Sequence, residues 1–285
     1  MKQDTSISVD EMYDTFMYYH DTFGTTSFIL AEDTFNDRVI KMEKMAKAVQ
    51  KLPFKPRVAN FARIDLYHRF PEMIELAAAS GIVSQAYGIE TFNHETGKII
   101  GKGLHPDKVK ETLLHVNDYM EKHGIHNEHY GYCTWIVGLP NESVESIMST
   151  HEWFKNFWYP HGSQAFALRI FKHGNFLSAF STDLAKYNYE EIENVEGINH
   201  WGFDKNPDVI PKTDSIIWKN QYLNRYDAMK IRNNIQADSR TNTLDAWNYL
   251  NITSSFPVTI RSLFIIYFLF ILPANKLPVA VFVFA

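Results

Sequence analysis

The chain has 285 residues and a formal net charge of −5, with 45% hydrophobic and 21% charged residues. This composition is typical of a globular protein with a substantial core, and the length fits one large domain or one domain with an appendage. The negative charge gives no basic footprint, which disfavours nucleic acid as a partner. The single cysteine, Cys133, excludes an internal disulfide framework. Together with a polar start that is unlike a secretory signal, it predicts a cytoplasmic protein.

Apolar runs and helical periodicities alternate along the first 171 residues. Ser8-Val9-Asp10-Glu11 has the pattern of a capping box and predicts a helix over residues 9–23, which Gly24 ends. Apolar runs predict strands at residues 27–31, 57–64, 83–90, 130–137 and 164–171. Apolar stripes at helical spacing predict helices between them, at residues 39–49, 73–79, 106–123 and 143–157. This alternation predicts a parallel sheet, curled or open, with right-handed crossovers.

Polar residues stand where the predicted strands end. In parallel α/β folds, ligands bind at the carboxyl ends of the strands, and Gly88 would let a ligand approach the backbone there. We therefore expect a common site on one rim, formed by Glu32-Asp33, Arg63, Glu90-Thr91, Gly138 and Lys172. The alternative is that these strand ends are polar only because they meet water.

Three short motifs follow one another around the third and fourth predicted strands. They are Gly88-Ile89-Glu90-Thr91, Gly101-Lys102-Gly103 and Gly138-Leu139-Pro140-Asn141-Glu142. With these three motifs in this order, the sequence over residues 8–174 resembles the radical S-adenosylmethionine (radical SAM) superfamily. The resemblance is in particular to its cobalamin-dependent and methylthiotransferase-like members. The resemblance implies an α/β fold: a partial (β/α)6 TIM-like barrel with parallel strands that lacks the first strand, followed by a C-terminal accessory region.

The same resemblance implies that the rim binds S-adenosylmethionine. Glu32 and Asp33 would contact its methionyl amine or the substrate, or would instead cap a helix. Glu90, with Thr91 beside it, would contact the amine or the ribose. Arg63 would meet the carboxylate of the ligand or pair with Asp65. The adenine would be lined by Gly138 and by the backbone of Ile136 and Val137.

The cluster motif of the family is missing from this sequence. In radical SAM enzymes a C-x3-C-x2-C motif after the first barrel strand holds three irons of a [4Fe-4S] cluster. This chain begins with a predicted helix, and its only cysteine, Cys133, lies inside a predicted strand. We expect the chain to start just downstream of the motif, as in a truncated or split gene, with an upstream polypeptide carrying the cluster. A degenerate homologue without a cluster is the alternative.

A second group of residues suggests metal binding more weakly. His123, His126, His129 and Cys133 stand close together, but their spacing is not a recognised zinc pattern. A solvated loop is the favoured interpretation, and no metal site is predicted here.

The predicted organisation has three parts: a partial barrel over residues 1–178, an accessory region over 179–254 and a hydrophobic tail over 255–285. In the accessory region, residues 215–237 are predicted to form one helix, with Trp218 and Tyr222 facing inward. The apolar run at 262–274 is shorter than the about 20 residues of a membrane span. We expect it to be a buried element or a non-native end, with a membrane anchor as the third alternative. A barrel without its first strand exposes the edge of strand 27–31, and we expect residues 277–285 to dock there or to remain unpacked.

Two functions from different classes follow from these observations. The first is a radical SAM enzyme core, which in the complete protein would bind S-adenosylmethionine and a [4Fe-4S] cluster. It would generate a 5′-deoxyadenosyl radical that acts on an unidentified substrate, with cobalamin as a further cofactor of some members. The second is a cluster-free, non-catalytic barrel that binds a ligand or a partner chain, which the lone Cys133 favours for this chain by itself.

Overall fold

The structure is a computed structural model, and it describes residues 7–171, 179–192, 216–253, 263–266 and 283–284. The predicted rim residue Lys172 therefore lies outside the described residues. The helices are α1 (Val9–Phe23), α2 (Val39–Lys51), α3 (Ile64–Arg69), α4 (Glu72–Ala79), α5 (His94–Ile99), α6 (Pro106–His123), α7 (Val144–Trp153), α8 (Ala179–Thr182), α9 (Arg225–Ala237) and α10 (Ala246–Thr253). The strands are β1 (Ser27–Leu30), β2 (Arg57–Ala62), β3 (Ile82–Glu90), β4 (Tyr130–Val137), β5 (Gly162–Ala167), β6 (Glu190–Glu191), β7 (Trp218–Lys219), β8 (Leu263–Ile266) and β9 (Val283–Phe284).

Local signals set both ends of α1. The Ser8 hydroxyl accepts a hydrogen bond from the Glu11 backbone N–H at 3.1 Å, and the Glu11 carboxylate accepts one from the Ser8 N–H at 2.7 Å. Gly24, at φ 68°, ends the helix in the left-handed conformation that glycine adopts without strain. The capping box and the stop signal predicted from the sequence are therefore both confirmed.

The first five strands form one parallel sheet in the order β5-β4-β3-β2-β1. Its register places Ile29 opposite Ala59, Ala59 opposite Ser84, and Thr134 opposite Gln164. The predicted parallel α/β fold is confirmed, and so is the prediction that the first three strands are consecutive parallel neighbours. The architecture is that of a partial TIM-like barrel, with helices between successive strands.

The two faces of this sheet have different surroundings. Trp135 belongs to the main core, which the sheet forms with the helices between its strands. On the opposite face, near the amino ends of the strands, Ala59 packs with Leu250 of α10. Farther toward the carboxyl ends, this second face carries Phe61 and Phe166, which are 42% and 43% exposed. We call that upper part the open face, and it leads to the rim predicted as a site.

Part of the apolar tail covers the outer edge of β1. β8 pairs with β1 in parallel, and β9 pairs with β8 antiparallel. The exposed edge is therefore covered by the tail, but not by the segment that we expected to dock there. The strand beside β1 is formed by residues 263–266 rather than 277–285, of which the structure describes only 283–284.

The outer edge of β5 is covered by polar groups from the accessory region. The Ser163 N–H donates to the Asn242 carbonyl at 2.7 Å, and the Gln236 amide donates to the Ala165 carbonyl at 3.2 Å. These bonds satisfy backbone groups that an additional strand would otherwise pair, so α9 and the segment after it close this side of the sheet.

Several predicted boundaries are corrected by the structure. The helix predicted over residues 215–237 is wrong in its first part: Trp218 lies in β7, which pairs antiparallel with β6, and Tyr222 is 47% exposed. The helix begins at Arg225, because the Asn224 side chain accepts hydrogen bonds from the next turn and caps it. The predicted loop before Gly101 contains α5, while β5 ends at Ala167 and α7 passes into a wider helical turn over 154–158.

None of the helices that the structure describes combines the length and the apolar character that a membrane crossing requires.

Candidate functional site

Glu90 is the last residue of β3, and its backbone conformation is unusual. Its φ of 67° lies in the left-handed region, which costs a residue with a side chain about 1–2 kcal/mol. The pairing of β3 with β4 also shifts between Gly88 and Glu90, leaving Ile89 as a bulge. Bulges redirect side chains, and here the Glu90 carboxylate turns back over Gly88. Its Oε1 lies 2.6 Å from the position that a Cβ on Gly88 would occupy, so a side chain at residue 88 would displace the carboxylate from this position.

Lys102 is the cation nearest to this carboxylate among the described contacts. Its Nζ lies 3.8 Å from Glu90 Oε1 and donates a hydrogen bond to the Gly88 carbonyl at 2.8 Å. Burial raises the pKa of Glu90, while the charge of Lys102 acts in the opposite direction. The motifs Gly88–Thr91 and Gly101–Gly103, separated by a helix in sequence, therefore meet in space.

A small cavity of about 40 Å³ opens beside this pair. Its lining includes Arg63, Asp65, Gly88, Thr91 and Lys102, from the ends of β2 and β3 and the loop before α6. The cavity holds about one water molecule, so a larger ligand would place only a polar group in it. We call it the rim pocket. Two of the predicted site residues, Arg63 and Thr91, thus line one pocket beside Glu90.

Arg63 and Asp65 form a two-pronged ion pair within the rim pocket. Arg63 Nε and Nη2 donate to the two Asp65 oxygens at 3.1 and 2.7 Å. This hydrogen bonding raises the pKa of Arg63. Of the two roles considered from the sequence, pairing with Asp65 is the one the structure contains, and both side chains are partly exposed.

Thr91 turns away from the open face. Its hydroxyl is buried and donates a hydrogen bond to Glu142, which lies in the turn after β4. Burial raises the pKa of Glu142 to about 8, and its Oε2 has no hydrogen-bond partner among the described residues. The contact ties the ends of β3 and β4 together. The sequence motif contained Glu142, but its buried partnership with Thr91 was not predicted.

The predicted adenine-lining residues divide between the two faces. Ile136 borders a larger cavity between β4, β5 and α9, whereas the Val137 side chain is fully buried in the main core. Gly138 has a φ of 101°, and a Cβ there would lie 2.4 Å from Trp218 Cη2. The Tyr189 hydroxyl donates to the Gly138 carbonyl at 2.7 Å. The accessory region therefore covers the end of β4.

Glu32 and Asp33 are not brought to the rim pocket. Glu32 is 13% exposed, and its Oε2 accepts a hydrogen bond at 2.7 Å from the ammonium of Lys41, a buried residue of α2. Burial raises the pKa of Glu32, and Lys41 opposes that change. Asp33 is exposed. Neither residue lines the rim pocket or the larger cavity beside Ile136.

Within the described residues, no group of three or more His, Cys, Asp or Glu side chains is placed to hold a metal ion. His126 Nε2 lies 2.8 Å from the Pro56 carbonyl, and His129 Nδ1 lies 3.0 Å from Asn117 Oδ1. Burial raises the pKa of the Cys133 thiol, which disfavours the thiolate that iron requires.

No protein-family model and no curated protein sequence matches this chain. Among solved structures, it is similar to the radical S-adenosylmethionine methyltransferase TsrM from Kitasatospora setae, with 14% identity, a TM-score of 0.49, and coverage of 64% of this chain and 33% of that one. It is also similar to HemN, the coproporphyrinogen III oxidase from Escherichia coli, with 12% identity, a TM-score of 0.42, and coverage of 64% and 46%. The cobalamin-dependent S-adenosylmethionine radical enzyme OxsB gives 13% identity, a TM-score of 0.43, and coverage of 53% and 22%. The chain thus spans less than half the length of each of these proteins. All three are named as radical SAM enzymes, the superfamily that the sequence motifs resemble.

Proposed function

We propose that this chain binds S-adenosylmethionine at the open face, beside the carboxyl ends of β3 and β4. The observation that carries the proposal is the placement of Glu90. Its backbone adopts a left-handed conformation, and its carboxylate folds over Gly88, at the strand end where α/β folds bind ligands. Holding a partly buried carboxylate in a strained position is typical of a residue that meets a ligand.

The charges of the rim pocket fit the amino-acid part of S-adenosylmethionine. The Glu90 carboxylate offers a partner for the methionyl amine, and the Lys102 ammonium, at 39% exposure, offers one for the methionyl carboxylate. Ile136 and the exposed Gly88 provide an apolar surface and a close backbone approach for the adenosine part. Thr91 acts as a positioning residue, since its hydroxyl is engaged by Glu142.

The iron–sulfur cluster of radical SAM enzymes does not fit the donors of this chain. Such a cluster needs three thiolates at one loop, and the sequence has only Cys133, buried within β4. When a cluster and its motif are present, they supply the electron that cleaves the ligand. We therefore assign binding and orientation of S-adenosylmethionine to this chain. The radical step is assigned only to an assembly in which another polypeptide provides the thiolates.

Calorimetric titration with S-adenosylmethionine tests this proposal. We expect saturable binding that Glu90→Gln weakens about tenfold, because an amide cannot form the charge-assisted bond to the amine. Glu95→Gln is the matched control: Glu95 is an exposed glutamate of α5 paired with Lys98. Absence of saturable binding, or equal weakening in the control, would contradict the proposal. Reconstitution with iron and sulfide should leave the visible spectrum without a stable cluster.

A further inference from the structure

Glu142 is a buried carboxyl group close to the end of β3. It lies in the turn between β4 and α7, and it is only 1% exposed. One of its oxygens accepts a hydrogen bond from the Thr91 hydroxyl, whereas Oε2 is buried and has no hydrogen-bond partner in the described part of the chain. The group is therefore anchored through one oxygen only, and its other oxygen has neither water nor a donor beside it.

These surroundings favour the neutral form of Glu142. An ionised carboxylate at this depth would leave charge on an oxygen that nothing solvates. Burial raises the pKa of Glu142 to about 8, hydrogen bonding opposes this change, and no cation among the described residues contributes to it. At neutral pH the carboxyl group therefore keeps its proton.

Among the described residues, Tyr189 of the accessory region is the titratable group that faces Glu142. Burial and, to a smaller extent, the charge of Glu142 raise the pKa of Tyr189, so the phenol stays neutral. The charged groups of the neighbouring helices are engaged elsewhere. Glu95 and Lys98 of α5 pair with each other at 2.8 Å, and Glu145 of α7 is exposed. A proton lost from Glu142 would therefore leave its charge uncompensated.

Thr91 connects this carboxyl group to Glu90. The Thr91 backbone N–H donates to the Ile89 carbonyl at 2.9 Å, which closes a three-residue turn around Glu90. The Thr91 hydroxyl oxygen also accepts a hydrogen bond from the Asn93 N–H at 2.8 Å. The left-handed backbone of Glu90 is thus followed by a residue whose side chain is fixed by Glu142 on one side and by the start of α5 on the other.

Loss of the proton would disturb this anchor, because the charged group would turn toward water or draw water in, and Thr91 would follow it. We propose that neutral Glu142 is a positioning residue for the open-face site: it holds Thr91 and the turn at Glu90, and ligand binding weakens when Glu142 loses its proton. This inference rests on the binding of S-adenosylmethionine proposed above. It adds to that proposal a dependence on a proton that the ligand itself does not contact.

Calorimetric titration with S-adenosylmethionine at pH 7 and pH 9 measures this dependence. The apparent affinity falls with the fraction of protein in the binding-competent form, and the protonated fraction of a group with a pKa of about 8 drops about tenfold over this range. Glu142→Gln stays neutral at both pH values and still accepts a hydrogen bond from Thr91. The ratio of the wild-type Kd to the Glu142→Gln Kd should therefore rise about tenfold from pH 7 to pH 9. Taking this ratio cancels the titration of the ligand itself.

Three further variants identify the path. Glu145→Gln is the matched control, since it removes an exposed carboxylate of the adjacent helix, and it should follow wild type at both pH values. Thr91→Val removes the hydroxyl, so it should weaken binding at pH 7 and abolish the pH dependence. Thr91→Ser keeps the hydroxyl and should restore both. The two threonine variants decide the matter if Glu142→Gln does not fold.

The backbone amide resonances of Glu90 and Thr91 in the ligand-free protein separate this inference from the proposed function. In wild type they should titrate with a midpoint near pH 8, and in Glu142→Gln they should not. Titrating amides without saturable binding at pH 7 would support the positioning role and reject S-adenosylmethionine as the ligand. Saturable binding at pH 7 with a constant ratio of dissociation constants up to pH 9 would overturn the inference and leave the binding proposal intact. Amides that titrate equally in Glu142→Gln, or not at all in wild type, would also overturn it.

Discussion

Replacing Glu90 with glycine should stabilise the protein while removing ligand binding. The left-handed backbone at φ 67° costs a residue with a side chain about 1–2 kcal/mol, and glycine avoids this cost. Glycine also gives the unfolded chain more freedom, which offsets about 0.4–1 kcal/mol of the gain. Removal of a carboxylate whose pKa is raised by burial acts in the stabilising direction at neutral pH. The free energy of unfolding should therefore rise by about 1 kcal/mol.

Urea unfolding at pH 7 measures this change as a higher midpoint with an unaltered slope. Asn141→Gly is the matched control, because Asn141 has a similar φ of 61° but asparagine tolerates this region, so its midpoint should move little. Glu90→Ala keeps the backbone cost and should remain less stable than Glu90→Gly. If Glu90→Gly is destabilised, or gains no more than Asn141→Gly, the strain assigned to this position is wrong.

Three further predictions concern buried and covering groups. Burial raises the pKa of Glu142 from 4.5 to about 8, so the folded state holds a proton that the unfolded chain releases. The free energy of unfolding should therefore fall between about pH 5 and 8, by up to about 1.4 kcal/mol per pH unit. Glu142→Gln should remove this pH dependence in urea unfolding. Deleting residues 256–285 should lower the melting temperature measured by circular dichroism, because β1 loses the backbone pairing that β8 supplies. Gly138→Ala should destabilise the protein by about 2–4 kcal/mol in chemical unfolding, because the added Cβ would lie 2.4 Å from Trp218. Gly24→Ala is the control: its Cβ would have nothing within 4 Å, so it should show only the backbone cost of about 1–2 kcal/mol.

Each of these predictions has an outcome that contradicts it. A wild type and a Glu142→Gln variant with parallel stability profiles across pH would show that the carboxyl is not kept protonated by the fold. An unchanged melting temperature after the tail deletion would show that β8 adds nothing to the stability of the sheet. Equal losses for the two glycine variants would show that the Trp218 ring moves aside without cost.

Elements governed by local signals were predicted from the sequence, because the residues that set them are neighbours in the chain. The Ser8 capping box and Gly24 placed α1 correctly. The segment around Trp218 was predicted wrongly for a reason that is not local. Its apolar residues have helical spacing, but Trp218 pairs through its backbone with Glu191 and lies over Gly138. No window of the sequence contains those partners.

The candidate site shows the same limit. The sequence indicated which residues stand at strand ends, and Arg63 lines a pocket with Lys102, the partner of Glu90. The direction of each side chain was decided by features that the sequence pattern does not carry. The bulge at Ile89 turned the Glu90 carboxylate onto the open face, and the buried Glu142 drew Thr91 inward. Lys41 held Glu32 on the side of α2.

Because β8 already occupies the outer edge of β1, a strand offered by another polypeptide would enter the sheet as a competitor. β8 belongs to the same chain, and a tethered segment acts at an effective concentration that reaches the millimolar range for short flexible connections. An external strand would have to bind the edge more tightly than that, or arrive before the tail has docked. The order of synthesis and folding, as much as the equilibrium affinity, would then determine which strand completes the sheet.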